Sequence, residues 1–170
     1  MTRNSQRNAG YTLVELMMVV VIIGVLAATA IPSFRRQVLR SRAAESIAML
    51  GQIRMRQEAY RSEFGQYFGT TTFTANWPTS TPSDENVPWG NAASSPLALL
   101  GVSPDGPVYF RYRVMAGYDN APAAQYPAGY PDWWYVAQAT GDIDGDGTTY
   151  FVEAIAGRAE LYVSSPAGFE

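Results

Sequence analysis

The sequence predicts an α+β fold: a long N-terminal helix, half membrane-spanning and half amphipathic, packed on an antiparallel sheet of about four strands. Three observations predict it. An unbroken apolar run extends from Tyr11 to Ile31. Apolar residues at helical spacing follow it as far as Phe64. Four short runs of β-branched and aromatic residues then lie between residues 108 and 163.

The first ten residues, MTRNSQRNAG, are polar and carry Arg3 and Arg7 with no acid. The run from Tyr11 to Ile31 holds one charge, Glu15. As a helix it would be about 31 Å long, the thickness of a bilayer's hydrocarbon core. A Sec-type signal would place its small-residue cleavage site after the apolar run. Here the small pair Ala9-Gly10 precedes it. Cleavage at that point keeps the apolar segment in the mature chain. Pro32 closes the run, and Ser33 is a candidate cap for a helical restart. The resulting division is a leader at 1–10, a transmembrane helix at 11–32, an amphipathic helix at 33–64 and a β-rich head at 65–170.

In the amphipathic segment, Leu39, Ala43, Ile47, Leu50, Ile53, Tyr60 and Phe64 recur at spacings of three, four or seven and form a core-facing stripe. Gly65 suits a left-handed helix cap. Residues 66–107 are rich in Gly, Thr, Ser, Pro and Asn and read as a long irregular connection, with Trp77 and Trp89 expected to pin it to the core. Residues 97–101 have the composition of one helical turn. Strands are expected at 108–115, 133–139, 149–155 and 159–163, the last two joined by a tight turn at Gly157-Arg158.

Composition removes most enzyme classes. The chain has no Cys and no His, and all twelve of its basic residues are Arg. It therefore has no disulfide or thiolate metal site, no histidine general base and no lysine for a P-loop or Schiff base. No paired catalytic constellation stands out, and the chain reads as not an enzyme, with an Asp/Glu hydrolase formally open. Charge is split: residues 1–61 balance at +6 and residues 62–170 at −9. The basic part lacks interleaved aromatics, so it reads as solvated charge on a long helix and not as a nucleic-acid platform.

Glu15 is costly inside an apolar helix, though less so near an end. Two readings stand side by side. One is a carboxylate snorkelling to the interface at a helix start. The other is a carboxylate held by positive charge, from the helix terminus or from a neighbour's amino group in an assembly.

The run GYTLVELMMVVVIIGVLAATAIP, Gly10 to Pro32, resembles the N-terminal signal and helix of type IV prepilins and of the related type II secretion pseudopilins. The resemblance implies a pilin-like fold, cleavage after Gly10 by a prepilin peptidase, and methylation of the new N-terminal Tyr11, where Phe is usual. It implies that Glu15 supports methylation and subunit docking. Gly24 and Pro32 then flank a helix segment able to loosen as subunits pack. The resemblance further implies that 11–32 also serves as a filament core and that the head at 65–170 is extracytoplasmic. It also implies an inner-membrane precursor with its leader at the cytoplasmic face, other pilin subunits and an inner-membrane assembly machinery as partners, and a surface or periplasmic filament as destination. A plain count of the flanking arginines gives the opposite orientation, since Arg35, Arg36, Arg40 and Arg42 follow the run. The C-terminal disulfide frequent in the family cannot form here.

The expected function is a structural subunit, major or minor, of a type IV pilus-like filament. A type II secretion pseudopilin and a membrane-anchored extracytoplasmic binding or adhesion module are the alternatives.

One motif points to a metal. Asp142, Asp144 and Asp146 alternate, a Gly follows at the sixth position and Glu153 stands at the twelfth. This matches the ligand spacing of a calcium loop, with calcium as the candidate cofactor. The flanks read as strands, and an Asp-Gly-Asp-Gly run is equally a hairpin turn that needs no ion.

Overall fold

A computed structural model describes residues 10–79, 81–119 and 132–163. The leader expected at 1–10, apart from Gly10, and the end of the chain beyond Val163 lie outside the described residues. The chain divides into two compact units, one reaching Val38 and the other starting at Leu39.

The first unit is helical from Leu13, the start of helix α1 (Leu13–Phe64). Its large apolar residues are more than half exposed at almost every position, from Leu13 to Phe34. α1 is the one described helix long and apolar enough to cross a membrane. The restart expected at Ser33 is not seen, because α1 runs through Pro32 without a break. Proline has no N–H to donate to the Ala28 carbonyl one turn back, and its ring crowds that carbonyl, yet the helix continues. One turn earlier, the Thr29 hydroxyl donates to the Leu26 carbonyl at 3.0 Å.

In the second unit, α1 packs on a four-stranded antiparallel sheet in the order β1-β2-β3-β4. The strands are β1 (Arg111–Tyr118), β2 (Trp133–Gly141), β3 (Tyr150–Ile155) and β4 (Tyr162–Val163). The α+β expectation therefore holds. β1 starts three residues later than its alternation predicts. Val108 is instead held by Val87, in an isolated antiparallel bridge.

The buried face of α1 differs from the apolar stripe in an instructive way. Ala43, Ser46, Met49, Leu50, Ile53 and Gln57 are buried, with Leu39 and Tyr60 packed at the margin. Ile47 and Phe64, both expected inside, are about half exposed, at 49% and 57%. Two polar side chains sit in the core because each finds backbone partners. Ser46 Oγ donates to the Ala43 carbonyl at 2.7 Å, and its small size suits a buried helix face. Gln57 pairs with one residue twice: Nε2 donates to the Phe68 carbonyl and Oε1 accepts from the Phe68 N–H, both at 2.9 Å. These bonds remove the cost of burying an amide. α1 ends where Gly65 donates to the Arg61 carbonyl at 2.8 Å with a φ of 73°, the left-handed cap expected.

The long connection has little regular structure, only two short 3₁₀ turns at Ala92–Ser94 and Ala98–Leu100. It is nonetheless tied along the free edge of β1. Ala116 N–H donates to Thr70, Thr74 N–H donates to Val114, and Trp77 and Tyr112 exchange both backbone bonds. This covers an edge that would otherwise offer unpaired groups to another chain. Gly69 makes the approach possible: a Cβ there would lie 2.8 Å from the Ala116 nitrogen. Trp89 is buried beside Tyr112, and Trp77 packs edge-on against Trp89, so both indoles pin the connection as expected.

Both faces of the sheet are buried. Register places Arg113 opposite Gln138, and Gln138 opposite Glu153. Their side chains form a polar ladder across three strands. Arg113 Nε donates to Gln138 Oε1 and Gln138 Nε2 donates to Glu153 Oε1, each at 2.7 Å.

Candidate functional site

The first candidate site is the beginning of α1. Thr12 is its N-cap. Its hydroxyl accepts from the Glu15 N–H at 3.2 Å, while the Glu15 carboxylate accepts from both the Thr12 N–H and the Thr12 hydroxyl at 2.8 Å. This is a reciprocal capping box, in which two otherwise unpaired first-turn donors find acceptors. Neither sequence reading of Glu15 included it. The signal was present as Thr12-x-x-Glu15 before an apolar run. The box explains how a carboxylate is tolerated at this position: its charge faces the positive end of the helix and is bonded to it. One carboxylate oxygen, Oε2, makes both bonds to Thr12.

Around this start, Gly10 and Tyr11 are exposed, Tyr11 at 91%. Gly24 and Pro32 lie inside the same continuous helix, and nothing stands within 4 Å of a Cβ built at Gly24. Val14, Met17, Met18, Val21 and Ile22 line one apolar hollow on this surface. Their spacing of three and four places them on a single helix face.

The second candidate site is the turn between β2 and β3. One oxygen from each of Asp142, Asp144 and Asp146 can be chosen so that all three lie within 4.8 Å of one another. Asp142 is buried and the other two are exposed. Glu153, the fourth expected ligand, lies outside this group. It is 2% exposed in β3, and its Oε1 accepts from Gln138. In β3 Glu153 stands opposite Gln138 in the sheet. Here the flanks are strands, and sheet register carries Glu153 away.

The turn is well bonded internally. Asp142 accepts from the Gly145 and Gly147 N–H groups at 3.0 and 3.1 Å, and Asp146 accepts from Thr148 N–H at 2.6 Å. Gly145 and Gly147 have φ of 77° and 85°. Arg42 on α1 fixes the turn from outside. It donates to the Ile143 carbonyl at 2.7 Å and lies 4.6 Å over the Tyr109 ring. A bound ion would therefore find a shaped turn in place.

Comparison with known proteins bears on the first site. Residues 5–31 match the family described as the prokaryotic N-terminal methylation motif. The chain is 44% identical over 66 residues to the type IV major pilin protein PilA of Myxococcus xanthus (strain DK1622), a stretch that is 39% of this chain and 30% of that protein. It is 49% identical over 47 residues to the type IV major fimbrial protein FimA of Dichelobacter nodosus, 28% of this chain and 29% of that protein. The chain thus matches under a third of the length of these curated relatives.

Proposed function

We propose that this chain, which carries the N-terminal methylation motif and resembles type IV major pilins, is a structural subunit of a type IV pilus-like filament. One observation carries the proposal. From Leu13 onward the matched segment is a helix whose apolar side chains are exposed along its length and whose only carboxylate is at its capped start. Such a surface is stable in lipid or against copies of itself, and not in water. The chain is made with a leader at 1–10 and held in the inner membrane by residues 11–32. A prepilin peptidase cuts after Gly10 and the Tyr11 amino group is methylated. Assembly machinery then moves the helix from lipid into a filament core, with 33–64 and 65–170 forming the head outside. No catalysis is assigned to the chain.

Glu15 gives this transfer its polarity. In the monomer the carboxylate is held by Thr12. In a filament the free oxygen is available to a neighbour's new amino group, a charge pair formed in an apolar setting where it is strong. The names of both relatives, a major pilin and a major fimbrial protein, support the pilin reading, with a type II secretion pseudopilin as the alternative.

The test is Glu15→Ala, with Thr12→Ala as control. Glu15→Ala should enter the membrane at least as well as wild type, since no carboxylate is buried, yet be depleted from sheared filaments. Thr12→Ala breaks the cap, at a cost of about 1 kcal/mol to the helix start, but keeps the charge, and should still incorporate. Normal incorporation of Glu15→Ala would overturn the docking role. Equal loss in both variants would make the residue only a cap.

The acidic turn carries a separate proposal, calcium bound by Asp142, Asp144 and Asp146. The residues fit the ion: calcium–oxygen distances of about 2.3–2.6 Å place ligand oxygens no more than roughly 5 Å apart, and these three lie within 4.8 Å. Bound there, calcium would neutralise three like charges and fix the β2–β3 connection.

A further inference from the structure

We propose that Arg35 and Arg36, with Phe34, form a contact for anionic phospholipid headgroups of the phosphatidylglycerol class. The contact fixes the depth of the membrane-held chain. The inference rests on the reading of residues 11–32 as a membrane span.

Depth is the first support. α1 is continuous through Pro32, so Arg35 lies about 6 Å and Arg36 about 7.5 Å beyond Ile31 along the axis. The headgroup layer on each side of the hydrocarbon core is roughly 5–7 Å thick. Helix side chains lean toward the N-terminus, here back toward the span, which brings both guanidinium groups to phosphate level. Phe34 is 71% exposed beside them and presents an apolar ring at the same boundary.

Unmet charge is the second support. Arg35 and Arg36 are exposed, and neither has a hydrogen bond or ion pair among the described residues. No carboxylate stands three or four positions from either, and the first acid after Glu15 is Glu45. Glu45 is engaged elsewhere, accepting from Tyr109, Phe110 and Tyr112. Arg42 shows the contrast, since its guanidinium is bonded to the Ile143 carbonyl. Guanidinium groups match phosphate oxygens in a bidentate fork. The carboxylates of a second copy are the competing occupant, but they would have to enter the headgroup layer to reach these two arginines while the chain is in the membrane.

The full chain is reconstituted in nanodiscs of mixed phosphatidylcholine and phosphatidylglycerol. Spin-labelled versions of each lipid report their relative association with the protein. Wild type should prefer phosphatidylglycerol by about fivefold for each arginine, equivalent to about 1 kcal/mol each, and the preference should shrink in high salt. Arg35→Gln/Arg36→Gln should remain embedded with its head folded and lose most of that preference. An embedded double variant with undiminished preference, or an embedded wild type with none, overturns the contact while leaving the span intact. Loss of cross-linking between copies in the double variant, with lipid preference unchanged, overturns it in favour of a protein contact. A wild-type chain extracted by alkaline carbonate overturns the span and the contact together.

Discussion

Glu45 should be the most sensitive single residue in the head. Its side chain leaves α1 and meets the residues leading into β1. The carboxylate accepts from the Tyr109 N–H at 3.0 and 3.2 Å, from the Phe110 N–H at 3.4 Å and from the Tyr112 hydroxyl at 3.0 Å. Tyr112 is fully buried at 0% exposure, so its hydroxyl has no water to turn to. Glu45→Ala leaves two good donors unpaired, at about 1–3 kcal/mol each. Little weight belongs to the long bond from Phe110. The expected loss is about 3 kcal/mol, or roughly 10 °C in thermal midpoint for a unit of this size. Glu45→Gln keeps an acceptor and should cost about half as much. The assay is thermal unfolding of the full chain in detergent, followed by near-ultraviolet circular dichroism of the head aromatics. A fall of less than about 2 °C in Glu45→Ala would show that the carboxylate does not tie helix to sheet.

Two further outcomes concern the head. Burial, the largest cause in each case, raises the phenol of Tyr112 well above the usual value of 10.0, that of Tyr135 to about 12, and that of Tyr150 to a lesser degree. Unfolded tyrosines release protons first as pH rises, so their contribution is complete below about pH 10 and is lost as pH climbs toward 12. Thermal midpoints measured over that window should fall steeply, less so in Tyr135→Phe. A flat profile would mean that these phenols are solvated. For the acidic turn, calcium at tenfold over a dissociation constant of about 10⁻⁴–10⁻³ M should add about 1.4 kcal/mol relative to chelator. Asp144→Asn/Asp146→Asn should abolish the gain, and equal midpoints in wild type would leave a hairpin turn without metal.

The elements were legible where one physical pattern dominated. The long apolar helix follows from length and hydropathy, and β2 and β3 follow from runs of aromatic and β-branched residues. Gly65 as a cap follows from its freedom at positive φ. What was not legible depends on partners distant in sequence. Ser46 and Gln57 are polar, so periodicity assigns them outside. They are buried because the Ala43 carbonyl and the Phe68 backbone meet them. Ile47 has the right spacing, but the sheet draws on the 43-46-50-53-57 face. Glu153 satisfies a twelve-residue spacing rule, yet β2–β3 register decides its neighbour. The capping box is local and was readable. A Thr three residues before a lone Glu marks it, whatever the membrane cost of the carboxylate suggests.

Mass spectrometry of the N-terminal peptide of this chain, taken from sheared surface filaments, tests its role most directly. A filament subunit processed at the matched motif must begin at Tyr11 and carry one added methyl group on its amino nitrogen. A chain found in filaments with residues 1–10 still attached, or cut after Ala28 or Ala30, would contradict the processing. A chain absent from filaments but abundant in the membrane would contradict assembly itself.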